Sequence, residues 1–240
     1  MKEIVGKIGR YVPWLAVATG LLVAAAIGLM FFHAPVDRSM GIVQKIFFSH
    51  VPAAMVAYAG FTVASVASLL YLLRPHRDWD VAAVSGAHIG MIFCVYVLIS
   101  GPLWAYKAWG KAWVWEPQLT ATFVLFLLYG AYVLLRAFSG NSERMRKISA
   151  VLAVIAFVDI PIIHYAVRMW RGNHPAIERE GGDGLAPAIK TAFSTSMFAF
   201  LLVFVVLLWM AIRVRRLQYQ VDELHVDLED AERSRTEGQI

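Results

Sequence analysis

Tryptophan and histidine are the two residue types whose placement in this sequence points to chemistry. Trp104, Trp109, Trp113 and Trp115 fall within twelve residues and make up half of the eight tryptophans in the chain. Tryptophans scattered among helix ends mark the level of lipid headgroups. Concentrated in one loop, WGKAWVWEPQLT (109–120), they offer instead a flat apolar platform for a large planar ligand, because ring stacking adds to simple area burial. If that loop is helical, Trp109 and Trp113 share a face at i, i+4.

The seven histidines divide by position. His76 and His225 fall in polar segments and read as solvated, and His88 opens an apolar run as a packing or interfacial residue. His33 closes the first apolar run, His50 opens the second within FFSHVPAAM, His164 ends the fifth, and His174 follows in RMWRGNHPAIE. A lone histidine in a membrane span usually hydrogen-bonds a neighbouring helix. His50, His164 and His174 gather on one side with the Trp-rich loop, and several imidazoles beside an aromatic surface suit haem iron, which takes axial histidines. Lys107, Lys111, Arg168 and Arg171 lie near enough in sequence to pair with two propionates. Zinc would ask for a third or fourth ligand at regular spacing, such as HxxxH, and the sequence has none.

These residues must be positioned by helices in lipid. Hydrophobic residues make up 59% of the 240 and charged residues 16%, far from a soluble mixture. Apolar runs at 13–32, 48–73, 82–101, 119–138, 148–166 and 190–212 are each long enough to cross a bilayer core. In hydrocarbon the backbone must satisfy itself within the segment, so the runs are helices. The expected architecture is an all-α integral membrane protein, a bundle of about six transmembrane helices with an outer-face Trp-rich loop. Residues 1–212 form the membrane domain and 213–240 a charged cytoplasmic tail, with Leu217, Val221, Leu224 and Leu228 at helical spacing. The first run has no small-residue cleavage site and reads as a retained helix.

Near the membrane, the side bearing the N-terminus holds 12 Lys and Arg against 8 on the other, which places both termini in the cytoplasm. The net charge of +5 therefore reflects topology and lipid headgroups rather than nucleic acid. The eight outer cations, Lys45, Lys107 and Lys111 among them, leave room for an anionic ligand. Cys94 is alone within an apolar run and reads as a packing residue, and no CxxCH is present for covalent haem. Asp159 lies inside the fifth run two residues before Pro161. A carboxylate at that depth either stabilises a kink or lines a cavity.

WGKAWVWEPQLT resembles the WWD signature of haem-handling proteins, written WGxxWxWD. With HVPAA in the second run and PIIH followed by Trp and His later, the chain is similar to the CcmC family of cytochrome c biogenesis proteins over roughly residues 40–175. The resemblance implies six transmembrane helices in the bacterial cell inner membrane. It implies haem b held transiently and without a covalent bond, two axial histidines, and transfer to the haem chaperone CcmE. A complex with an ABC-type transporter, CcmA/CcmB, and the small subunit CcmD is implied as well. On that basis the axial ligands of the iron are His50 and His174, and Trp109, Trp113 and Trp115 form the platform. Glu116 stands at the signature Asp, Ala112 at a Trp, and Met169 at a further Trp. Gln118 stands at an Arg whose role with a propionate passes to Lys111.

Three functions compete on the residues. Haem delivery suits ligands on loops and helix ends, from which the cargo leaves easily. A b-type electron-transfer subunit would need paired histidines inside the bundle, and the inner half offers only His88. A haem permease would need a polar path, and Asp159 is nearly alone in the spans. Haem delivery leads, and no nucleophile–base pair or phosphate loop marks an enzyme.

Overall fold

The structure is a computed structural model and describes residues 2–138, 142–170 and 185–237. Its helices are α1 (Lys2–Gly28), α2 (Phe47–Leu73), α3 (Arg77–Trp109), α4 (Pro117–Phe138), α5 (Glu143–Phe157), α6 (Asp159–Trp170) and α7 (Pro187–Glu237). A π-helical turn at Leu29–His33 extends α1, and a 3₁₀ turn at Ile42–Ile46 leads into α2. Six segments are long and apolar enough to cross a membrane, with α5 and α6 together making the fifth. The all-α, six-span architecture expected from the sequence is the one found. Trp14, Leu21, Phe32, Ile92, Phe138 and Val158 are among many large apolar side chains that face outward, which makes sense only against lipid.

The most extensive contact is between α2 and α3, and it depends on glycine. A Cβ on Gly60 would sit 2.7 Å from the backbone nitrogen of Gly90, and one on Gly86 would sit 2.7 Å from the Gly60 carbonyl oxygen. A Cβ on Gly90 would run into the Phe61 ring at 2.5 Å. Small residues allow backbones to approach where no hydrophobic force draws helices together in lipid. Tyr129 of α4 then locks the pair to its neighbours. Its ring stacks on Phe61 at 3.9 Å between centroids, and its hydroxyl lies 2.7 Å from Ser65 Oγ, which donates to the Ala153 carbonyl of α5.

The fifth span breaks at Val158, where the backbone N–H donates to Ile155. Pro161 has no N–H to donate to the Phe157 carbonyl one turn back, and the break falls in that turn, whereas Pro52 and Pro102 are carried inside α2 and α3. Asp159 opens α6, where an acidic residue favours the helix N-terminus. The third helix runs farther than the expected 82–101, passing through Pro102 to Trp109, so Trp104 and Trp109 are helical residues. Cys94 is buried in the core, as read from the sequence.

At the end of the bundle shared by the start of α3 and the end of α4, Arg136 donates to Asp80 at 2.7 Å, both side chains less than a tenth exposed. Tyr219 of α7 donates to the same carboxylate oxygen at 2.9 Å. Arg216 pairs with Asp78 at 2.8 Å, and Arg77 pairs with Glu223 while lying over the Tyr219 ring. The charged tail is thus continuous with the last span and fastened to the bundle. His76, exposed, caps α3 by accepting from the Asp78 N–H.

At the opposite end, Lys45 is buried and donates to the carbonyls of Ala34 and Pro35. It closes the connection between α1 and α2 and is not one of the cations left over for a ligand. In the same connection Asp37 accepts from the Ser39 hydroxyl and from the N–H groups of Ser39 and Met40. Those bonds, the hydroxyl first, hold its carboxyl below the ordinary range.

Gly86→Val should lower the thermal unfolding temperature of the detergent-solubilised protein, at a cost of about 1–3 kcal/mol for overpacking. Arg136→Ala leaves the Asp80 carboxylate buried without its counter-ion and should cost about 3–5 kcal/mol in the same assay. The Asp37 turn gains stability only while the carboxylate is charged. Protection of the Ser39 and Met40 amides, measured against the intrinsic exchange rate at each pH, should therefore be full above the ordinary aspartate range and be lost as pH falls through the lowered value.

Candidate functional site

The candidate site is built by the first turn of α2, the last turns of α3, the loop 110–116 and the first turns of α4. His50 is half-buried, and its Nδ1 lies 2.8 Å from the Ser100 hydroxyl of α3. Ser49 beside it meets the Tyr96 hydroxyl at 2.6 Å, a second tie between the two helices at the same level. Ser100 and Trp104 are one turn apart on a common face of α3. The imidazole is thereby set next to the start of the aromatic group.

That aromatic group differs from the platform read in the sequence. Gly110 adopts the left-handed conformation at φ +72° and donates its N–H to the Tyr106 carbonyl at 2.9 Å, ending α3. Trp109 and Trp113 therefore do not share a helix face. Trp109 packs edge to face on Trp104, with centroids 5.2 Å apart, and Trp113 packs edge to face on Trp115 at 5.6 Å. Trp113 also abuts Phe123 of α4 at 6.2 Å. Two perpendicular pairs replace one flat sheet of rings, an arrangement the indole quadrupoles favour. Trp115 keeps most of its surface exposed at 74%.

Glu116 precedes Pro117, the first residue of α4, and its carbonyl accepts the Thr120 N–H at 2.9 Å. Proline is pre-shaped for the first helical position and lacks an N–H that would have no partner there. The carboxylate of Glu116 thus sits at the positive end of α4, a role that glutamate fills as well as aspartate. Lys107 and Lys111 are exposed at the rim.

The indole Nε1 atoms of Trp104 and Trp113 and the side-chain carbonyl of Gln118 are buried and meet no hydrogen-bond partner among the described residues. Buried donors without acceptors are expensive. Two such N–H groups beside an imidazole and two rim cations fit a planar ligand that brings its own carboxylates and a metal. The residues at this end are thus compatible with haem, and Trp104, outside the signature, belongs to the group. Its place within the twelve-residue cluster of four tryptophans is the clue the sequence contained.

His164 is exposed and rests against the Tyr165 ring at 5.3 Å. His33 is exposed at the end of the π-helical turn. His174, the second expected ligand, and Arg171 lie outside the described residues. Toward the other face, His88 Nδ1 is approached to 3.5 Å by Arg215 Nη2, a cation that disfavours a metal at that nitrogen.

Comparison with known proteins places the chain among close relatives. The sequence profile of one family, heme exporter protein C, matches residues 2–227. The heme exporter protein C of Bradyrhizobium diazoefficiens is 38% identical, covering 90% of this chain and 83% of that protein. Those of Rhodobacter capsulatus and Escherichia coli K12 are each 32% identical. They cover 88% and 85% of this chain, and 90% and 83% of their own lengths.

The turn that frees the loop from α3 generates a direct test. A Cβ at Gly110 would meet nothing within 4 Å, so Gly110→Ala is penalised by its backbone alone, about 1–2 kcal/mol. Thermal unfolding should show that loss, and the Trp fluorescence maximum should shift as the loop relaxes.

Proposed function

The chain belongs to the heme exporter protein C family, and on that premise we propose that it binds haem at the outer face of the bacterial inner membrane and delivers it to a haem chaperone of the CcmE type. Membership carries a role in haem handling for cytochrome c maturation, and six membrane-crossing segments fit a multi-pass inner-membrane protein. The observation that supports the outer site best is the conjunction of the His50 imidazole with the two unpartnered indole N–H groups of Trp104 and Trp113.

In this reading haem b is cargo, held without a covalent bond and presented to the chaperone. His50 and His174 hold the iron from opposite sides. Trp109, Trp113 and Trp115 border the macrocycle, with Trp115 as the exposed ring that departing haem passes. Trp104, Trp113 and the rim cation Lys111 receive propionates. Glu116 anchors the loop to α4 and keeps its position relative to α3. The chain positions the cargo and carries out no bond chemistry itself, which suits a role other than that of an enzyme. The partners proposed are CcmE, the ABC-type transporter CcmA/CcmB and the small subunit CcmD. Basic residues on the side of Arg77, Arg136 and Arg213–Arg216 support cytoplasmic termini. The same reading makes residues 1–212 the haem-handling domain and 213–240 a cytoplasmic extension.

Absorption spectra of the protein purified from haem-replete membranes check the ligands. Wild type should give a sharp low-spin spectrum, and His50→Ala or His174→Ala should each convert it to high-spin or abolish haem binding. Identical spectra in both variants would remove the ligand assignment. Trp113→Phe should preserve the ring packing while weakening haem retention about tenfold, the size of one hydrogen bond to a charged acceptor.

A further inference from the structure

Ser100 makes two close polar contacts that together decide where a proton lies. Its Oγ is 2.8 Å from His50 Nδ1 and 2.8 Å from the carbonyl oxygen of Tyr96, one turn earlier in α3. A carbonyl only accepts, and a serine hydroxyl has a single proton to donate. Directed at Tyr96, that proton leaves an oxygen lone pair facing the imidazole, and Nδ1 must carry the hydrogen. The reverse arrangement would press the Tyr96 carbonyl against an oxygen lone pair at hydrogen-bonding distance. Ser100 is 5% exposed, and mismatched polar atoms are costly where water is scarce.

We propose that Ser100 is a positioning residue that fixes His50 as the Nδ1–H tautomer and so presents Nε2 as the nitrogen that takes the iron. The chain of donors runs from His50 Nδ1–H to Ser100 Oγ–H to the Tyr96 carbonyl, and it ends on rigid helical backbone. Gly101 leaves room for the ring: a Cβ there would lie 3.2 Å from His50 Cε1, so the imidazole approaches bare backbone on that side. A hydrogen bond at the far nitrogen orients a metal-binding imidazole and raises the basicity of the other nitrogen. The ligand role rests on the haem reading above, whereas the tautomer follows from contacts within the protein.

The test uses the full chain in lipid nanodiscs with ¹⁵N-labelled histidine, the His50 ring signals being identified by their loss in His50→Gln. Without haem, wild type should show His50 protonated at Nδ1. Ser100→Ala should spread the signal over both tautomers, and Ser100→Thr, which keeps the hydroxyl, should restore it. In the haem-loaded protein, Ser100→Ala should raise the ferric/ferrous midpoint potential, because a less electron-donating imidazole stabilises ferric iron less, and Ser100→Thr should return it. A wild-type ring protonated at Nε2, or a tautomer unchanged by Ser100→Ala, would overturn the proposal. So would a potential that is the same in wild type and Ser100→Ala. A wild-type protein that takes up no haem would sink the haem reading separately, with the tautomer signal still deciding the role of Ser100.

Discussion

Everything at the His50 end of the bundle depends on how closely α2 and α3 approach each other. Gly60, Gly86 and Gly90 bring the two backbones to a separation that no side chain would allow, and this fixes their register along the whole length. Because the register is fixed, His50 on one helix meets Ser100 on the other, and Ser49 meets Tyr96. Lipid supplies little force to hold polar side chains together across helices, since hydrocarbon tails are as apolar as leucine. Van der Waals contact along the glycine faces, with the Phe61–Tyr129 stack behind it, does that work. The pairing of His50 with Ser100 is thus set by packing well inside the bundle.

The two ends of the bundle differ in their electrostatics. At the end bearing Asp80, opposite charges are buried together, and Arg136 and Tyr219 both donate to one carboxylate oxygen, while Arg136 Nε, Arg77 Nη2 and Arg216 Nε meet no further acceptor among the described residues. At the end bearing His50, the buried indole donors of Trp104 and Trp113 meet no acceptor, carboxylates included, among the described residues. Lys45, at that same end, is held by two backbone carbonyls.

Much of this was legible in the sequence. Length and apolarity alone specify six spans, because a bilayer admits few other solutions. The cluster of tryptophans and the placement of His50 also pointed to one end of the bundle, where the structure sets His50 against Ser100, one turn before Trp104. The arrangement within the site was not legible. Whether Trp109 and Trp113 share a face turns on the left-handed conformation of Gly110, a single backbone angle that hydrophobic periodicity does not encode. The pairing of His50 with Ser100 is separated by fifty residues and depends on helix register. Pro161 marked the place where the fifth span breaks, at Val158, but Pro52 and Pro102 lie inside continuous helices, so a missing N–H marks a weak point and packing decides whether the helix parts there.

The last helix has 51 residues, roughly 75 Å at 1.5 Å per residue, against a hydrocarbon core of about 30 Å. Its far half is clamped at Asp78, Asp80 and Arg77, and its near end, from Pro187, packs at the opposite end of the bundle, where Ala192 meets Ala34 and Phe48. An unbroken rod of this kind is a lever: any load that tilts its charged end swings Pro187 at the other, so the two ends of the bundle share one mechanical element.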